Sequence, residues 1–255
     1  VNLPYRAARL TSPELDALLT APEPVAVMIP VGAIEPHGPH LPLDTDVIIS
    51  CAAVERAVPR LWAAGVRGLL APGVAYGVTE CAAGFAGAAG VSEDALHAYL
   101  SAVVRGWIAN GVAHVCLVSN HLEPAHEATV RGVVAGFSPA LASAATPLAR
   151  RWARTLSDEF RRGACHAGEY ETSIVLAARP DAVRGEVAAA LPEVDVSLAE
   201  MLRAGRTRFR EMGLERAYAG APARATAAHG EAMLERLGEM VAGEILEALG
   251  RAPSG

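Results

Sequence analysis

The sequence predicts an α/β fold in which a mostly parallel sheet is covered by helices on both faces. Three observations predict it. Short apolar, β-branched runs alternate with longer segments whose apolar residues recur at helical spacing. Hydrophobic residues make up 52% of the 255 positions and charged residues 20%, enough apolar mass for a sizeable core. Polar, Pro/Gly/His-rich segments follow the apolar runs, as loops follow strands in open sheets.

The first run, VAVMIPVGAI at 25–34, is too short for a long helix and reads as a buried strand feeding the loop EPHGPHLPLDTD. Asp46 stands where the next helix starts, ahead of VIISCAAVERAVPRLWAAG. A second strand is expected over 68–74. It is followed by a Gly-rich loop and a helix over 93–109 capped by the Ser92 hydroxyl. The third, HVCLVSN, ends at His121, and Pro124 fits the first turn of a helix over 125–134. Residues 138–163 show no clear pattern. GACHAGEYETSIVLAARP reads as a loop entering a helix that stops before Pro180, and 230–249 as a long closing helix. The segment 181–229 has weak periodicity and is expected to be surface structure or an interface. With no repeat and no linker in view, one domain over 1–255 is expected.

Composition excludes several chemistries. All 22 basic residues are arginine, against 28 acidic residues, for a net charge of −6. Without lysine there is no Walker A loop, no pyridoxal Schiff base and no lysine aldolase. With no basic run there is no electrostatic footprint for nucleic acid. No window approaches the ~18 apolar residues of a membrane span, and VNLPYRAARL lacks the order of a signal peptide, so a cytoplasmic protein is expected. Cys51, Cys81, Cys116 and Cys165 match no metal or disulfide spacing and are expected as buried free thiols. Neither G-x-S-x-G nor G-x-G-x-x-G occurs.

The chemistry gathers at strand ends. Glu35 and His37 lie two apart after the first strand, and His121 and Glu123 two apart after the third. Residues i and i+2 share a side only in extended chain, so both pairs converge where strands end, which is also where ligands collect in open α/β sheets. With Asp46 the set is two histidines and three carboxylates. That mixture suits zinc, manganese or iron, and a carboxylate such as Asp46 can bridge two ions. Three clustered carboxylates without cations would repel one another.

VGAIEPHGPHLPLDTD resembles the E-x-H-G-x-H-L-P-x-x-x-D signature of the creatininase (creatinine amidohydrolase) family, and HAGEYETS resembles that family's second signature. The resemblance spans roughly residues 25–180. It implies a three-layer α/β/α sandwich, a dinuclear metal site with two divalent ions (Zn²⁺ first, Mn²⁺ or Fe²⁺ as alternatives), and a homo-oligomer, commonly a hexamer. The implied metal ligands are Glu35, His37, Asp46, His121 and Glu123, with Asp46 bridging. His166 matches the catalytic histidine, and Glu171 is expected to orient it or to bind substrate. The implied reaction is hydrolysis of a C–N bond in a small cyclic or non-peptide amide. In it a metal-bridging hydroxide attacks the carbonyl and His166 passes a proton to the leaving nitrogen.

Departures from the family pattern bear on the substrate. The family's Phe-Pro-Gly-Thr appears as Phe85, Ala86, Gly87 and Ala88, and no tryptophan precedes His166. Two alternatives follow: a peptidase resembling the family member of mycofactocin maturation, and a non-catalytic metal-binding relative. His40 is expected to hydrogen-bond a ligand from behind. His126 is expected beside the site rather than in it, Glu80 on the loop near the pocket, and His97, His114 and His229 in structural roles.

Overall fold

The structure is a computed structural model that describes residues 5–252. The ends of the expected 1–255 domain, residues 1–4 and 253–255, lie outside the described residues. The chain begins α1 (Ser12–Leu19), β1 (Val25–Val31), α2 (Thr45–Ala63), β2 (Arg67–Leu70), α3 (Glu93–Ala109), β3 (His114–Ser119), α4 (Pro124–Ala135) and β4 (Ala142–Ala145). It continues α5 (Arg150–Ala153), α6 (Asp158–Arg162), α7 (Glu169–Ala178), α8 (Gly185–Ala189), α9 (Leu198–Arg203) and α10 (Ala227–Ala248). The four strands form one parallel sheet in the order β2-β1-β3-β4.

Every residue of β1 and β3 is buried, as a parallel sheet covered on both sides requires. Their side chains alternate between two cores. Ala26, Met28, Cys116 and Val118 join the apolar stripes of α2, α7 and α10, whereas Val27, Ile29, Val115 and Leu117 join those of α3 and α4. Three layers result, α/β/α, as the resemblance implies. Each fully buried Leu or Ile in these cores, such as Leu61 or Leu100, stabilises the fold by roughly 1.5–3 kcal/mol. Among the described residues no helix is long and apolar enough to cross a membrane.

The long elements follow the sequence pattern closely, including the Ser92 cap, whose hydroxyl accepts from the Ala95 amide at 3.3 Å. Differences fall at the ends and in the short pieces. The first strand stops at Val31 rather than at 34, because the Gly32 amide turns to the Val74 carbonyl at 3.0 Å. The second covers 67–70 rather than 68–74, and Val74 meets Val31 in a single bridge. β4 and the short helices α5 and α6 occupy the patternless 138–163. Within 181–229, expected as surface structure or an interface, Phe209, Met212, Leu214, Ala217 and Ala219 build a third buried cluster with Cys81 and Ala82.

The closing helix approaches α7 closely enough to demand glycine. A Cβ on Gly230 would stand 1.8 Å from the Ser173 carbonyl oxygen, which backbone cannot concede. Gly106, in α3, would meet nothing within 4 Å. Urea unfolding is therefore expected to show Gly230→Ala destabilised by roughly 2–3 kcal/mol. Gly106→Ala should be neutral or gain up to about 1 kcal/mol from helix propensity. Equal midpoints for the two variants would contradict this packing.

Candidate metal centre

The carboxyl ends of β1 and β3, the first turn of α2 and the loop before α7 meet at one place. Glu35 and His37 follow β1, Asp46 lies in the first turn of α2, His121 follows β3, His166 precedes α7, and Glu171 lies in its first turn. All six residues are at most 7% exposed. Close approach of α2 depends on Gly32, where a Cβ would stand 2.8 Å from the Asp46 Cβ. Beside His166, Ala167 holds a left-handed conformation (φ 51°), a strained state for a residue with a side chain, and its amide donates to Glu171 Oε2 at 2.6 Å.

The three histidines are oriented in the same way. His37 Nδ1 lies 3.1 Å from the Glu35 carbonyl oxygen, His121 Nε2 lies 2.7 Å from that of Val78, and His166 Nε2 lies 3.0 Å from that of Pro36. A carbonyl only accepts, so each of these nitrogens carries the proton. The second nitrogen of each ring faces carboxylates. His37 Nε2 is 3.2 Å from Asp46 Oδ1 and 3.7 Å from both Glu35 and Glu171, and it has no hydrogen-bond partner. His121 Nδ1 is 3.0 Å from Asp46 Oδ2 and 3.4 Å from Glu35, and His166 Nδ1 is 3.7 Å from Glu35.

Asp46 thus offers one oxygen to each of two histidines. Three groups of ligand atoms lie within 4.8 Å of one another: Glu35, Asp46 and His121; His37, Asp46 and Glu171; Glu35, His37 and His166. Carboxylates facing imidazole lone pairs across such distances form a donor set suited to divalent cations. The side chains alone would have to balance this charge with protons. Burial pulls His37 down, but Asp46, Glu171 and Glu35 outweigh it and lift the ring to about 10. His121 is likewise raised by Glu35 and Asp46 against its burial. Glu35 is held down to about 2, because His121 and His166 overcome its burial, and Asp46 is lowered by His121 and His37 in the same way. Burial pushes Glu171 up to about 8.

Glu123 and Glu171 differ in their surroundings. Both carboxylate oxygens of Glu123 accept backbone N–H groups, from Glu80 at 2.9 Å and Cys81 at 3.0 Å, and Glu123 is outside all three groups. Glu171, expected to orient His166 or bind substrate, stands with His37 and Asp46 and accepts the Ala167 amide beside His166. His40 lies behind the site, Nε2 2.8 Å from Thr172 Oγ1, tying the first motif to α7. Glu80 contributes its amide, and the four cysteines are free. Sequence reasoning missed Thr79, whose hydroxyl donates to Glu35 Oε2 at 2.6 Å, and Phe209, whose ring lies 4.4 Å from that of His166. Neither carries a local signal, since each reaches the site through tertiary folding alone.

His126 supports the site indirectly. Its Nδ1 accepts the Val78 amide at 3.3 Å, and the Val78 carbonyl fixes His121. Burial, aided by the charge on His121, pushes His126 down to about 3. The unfolded chain takes up this proton near pH 6.5 and the folded chain does not, so the ring's contribution is present above pH 6.5 and is lost as pH falls toward 3. Urea unfolding of chelator-treated protein between pH 6.5 and 4.5 should therefore show a shallower pH slope in His126→Asn than in the parent, by up to ~1.4 kcal/mol per pH unit. Identical slopes would contradict a buried neutral ring.

The family model described as creatinine amidohydrolase, Creatininase, matches residues 8–245. The mycofactocin precursor peptide peptidase of Mycolicibacterium smegmatis is 32% identical over 210 residues, covering 80% of this chain and 78% of that protein. The creatinine amidohydrolase of Pseudomonas putida is 29% identical over 119 residues, 45% of this chain and 44% of that protein. A crystal structure of creatininase superposes with a TM-score of 0.75 at 23% identity, covering 96% of this chain and 98% of its own. Creatininase structures described as a manganese form and a Zn-Zn type share the fold at a TM-score of 0.72 and 22% identity, each covering 97% of this chain and 99% of its own. A family match over nearly the whole chain places it plainly: this protein belongs to the creatininase family of hydrolases.

Proposed function

We propose that this chain is a metal-dependent amidohydrolase that cleaves a C–N amide bond beside a pair of divalent ions. Glu35, Asp46 and His121 would hold one ion, and His37, Asp46 and Glu171 the other, with Asp46 shared. The observation that carries the reading is the common orientation of the histidines, each bonded to a backbone carbonyl and each aiming its free nitrogen at the carboxylates. Zn²⁺ suits the mixed N/O donors first, with Mn²⁺ or Fe²⁺ as alternatives. Such ions supply acidified water and polarisation of a carbonyl when bound. Manganese and Zn-Zn forms of the related creatininase structures support the assignment.

His166 moves the proton. Its Nε2–H is bound to Pro36, so Nδ1 presents a lone pair toward Glu35 and the cleft. Burial, with the charge His37 carries when no ion is bound, holds the ring down to about 4, so Nδ1 is unprotonated near pH 7. Taking a proton released when water adds to the carbonyl carbon, Nδ1 can deliver it to the departing nitrogen as the C–N bond breaks. Phe209 packs against the imidazole and fixes its tilt.

The substrate body meets a cavity of about 270 Å³ lined largely by apolar side chains, Leu122, Leu148, Phe160, Leu202, Phe209 and Met212 among them. A small cyclic or non-peptide amide fits this volume. A peptide end is the second reading, favoured by the longer match to the peptide peptidase than to the creatinine amidohydrolase. A homo-oligomer, hexameric by resemblance, belongs to the same proposal and is supported by the exposed Leu43 and Tyr76.

Elemental analysis of protein reloaded after chelation is expected to give about two divalent ions per chain, and under one in Asp46→Asn. Glu171→Gln should lose one ion, whereas Glu123→Gln should keep both. The reverse result would return Glu123 to the ligand set. His166→Ala should keep its metal and lose about 10²–10⁴-fold in turnover on whichever cyclic amide or peptide in a panel the parent hydrolyses. A parent that hydrolyses none would leave only a metal-binding relative.

A further inference from the structure

The outer walls of the cleft come from two stretches, residues 150–162 and 198–212. Within them α5, α6 and α9 supply Ala153, Phe160 and Leu202, and the following loop supplies Phe209 and Met212. These stretches carry nine of the 22 arginines and only four of the 28 acidic residues, a local charge of +5 on a chain whose total is −6. The acids do little to cancel it. Glu159 is turned inward, accepting the amides of Tyr170 at 2.8 Å and Ala221 at 2.7 Å. Asp158 is paired with Arg161, and Glu211 accepts the amides of Thr207 and Arg208. Glu200 alone is exposed without such a partner.

Pairing separates these arginines from the others. Among the described residues, eight of the thirteen arginines elsewhere face a carboxylate within 4 Å, but on the cleft walls only three of nine do. Arg150, Arg154, Arg162, Arg203, Arg206 and Arg208 are exposed and make no ion pair among the described residues. They also sit beside the lining itself. Arg154 follows Ala153, Arg162 lies between Arg161 and Gly163, Arg203 follows Leu202, and Arg208 precedes Phe209. Each of these four is exposed and stands one residue from a side chain that lines the cavity, which sets its charge near the opening. A solvated surface accounts for one or two free arginines, but not for their concentration around a single opening.

We infer that the cleft takes an acidic peptide, its apolar end in the cavity and its Asp/Glu-rich body against the rim arginines. This rests on the second, peptide reading of the proposed amidohydrolase and names its substrate class. Spread over two stretches, the free charges fit an extended anionic chain, whereas a small anion would engage only one or two of them. Among the described residues one arginine, Arg161, lines the cavity, and it is already paired with Asp158, so the substrate's charge belongs outside and its apolar residues inside. Unpaired surface cations of this kind steer an oppositely charged partner and lose their effect as salt rises.

Fluorescence anisotropy on the full metal-loaded chain tests this with a labelled glutamate-rich peptide ending in apolar residues, and with its glutamine-for-glutamate and lysine-for-glutamate counterparts. The acidic peptide is expected to bind about tenfold more tightly than the neutral one at low salt, with the difference fading as ionic strength rises. The triple variant Arg154→Glu, Arg162→Glu, Arg208→Glu should lose that advantage. Arg105→Glu, at an exposed unpaired arginine on α3, should keep it. Equal affinity for the three peptides, no measurable binding, or an equal loss from Arg105→Glu would overturn the inference. So would a change of sedimenting mass in the triple variant, which would make the basic rim a contact between subunits. Cleavage of the same peptides separates the two readings. Charge-dependent binding without cleavage removes the hydrolase and keeps the rim, whereas cleavage indifferent to charge does the opposite.

Discussion

Three carboxylates buried within a few ångströms of one another govern this molecule. Glu35, Asp46 and Glu171 are each at most 3% exposed, and water cannot screen their mutual repulsion. Something positive has to lie among them. The three imidazoles supply either protons or lone pairs, and the backbone carbonyls of Glu35, Val78 and Pro36 decide which nitrogen of each ring is free for that purpose. The fold serves this arrangement. A parallel sheet brings two strand ends together, Gly32 lets the first turn of α2 approach them, and the strained Ala167 turns His166 and Glu171 inward from the fourth side.

Outside that polar knot the cleft changes character twice. Immediately around the ligand cluster the walls are apolar, which favours a desolvated amide and strengthens electrostatic interactions within the site. Beyond them the surface turns basic on a chain that is acidic overall. A substrate therefore meets charge first, then apolar contact, then the donor cluster. This order separates capture from chemistry, since the rim arginines can be changed without touching any residue that faces the carboxylates.

Much of this architecture was legible in the sequence, and the exceptions have physical causes. Val25–Val31, α2, α3, β3, α4 and α10 were readable because their apolar residues repeat at the period of the element that buries them. β4 was not, because Ala142–Ala145 is four small residues without a β-branched side chain, and its strand character comes from pairing with β3. The short helices of the cleft wall escaped for a similar reason. Four to six residues cannot display a helical period.

The site shows the same division. Spacing at strand ends identified Glu35, His37 and His121 as a converging set, and family resemblance added His166. What spacing could not show was how differently Glu123 and Glu171 are held. Glu123 lies two residues past His121, as the i, i+2 argument requires, yet it occupies the N-cap of α4 with its carboxylate drawn to the amides of Glu80 and Cys81. Those amides belong to a loop placed by tertiary folding, so no local pattern records their pull. The basic rim was hidden too, because its arginines come from separate stretches and form no run. Anomalous diffraction from a crystal of the zinc- or manganese-loaded protein tests the central claim most directly. Two peaks are expected astride the Asp46 carboxylate, one beside Glu35 and His121 and the other beside His37 and Glu171. A single peak, or none within coordination distance of Asp46, would contradict it.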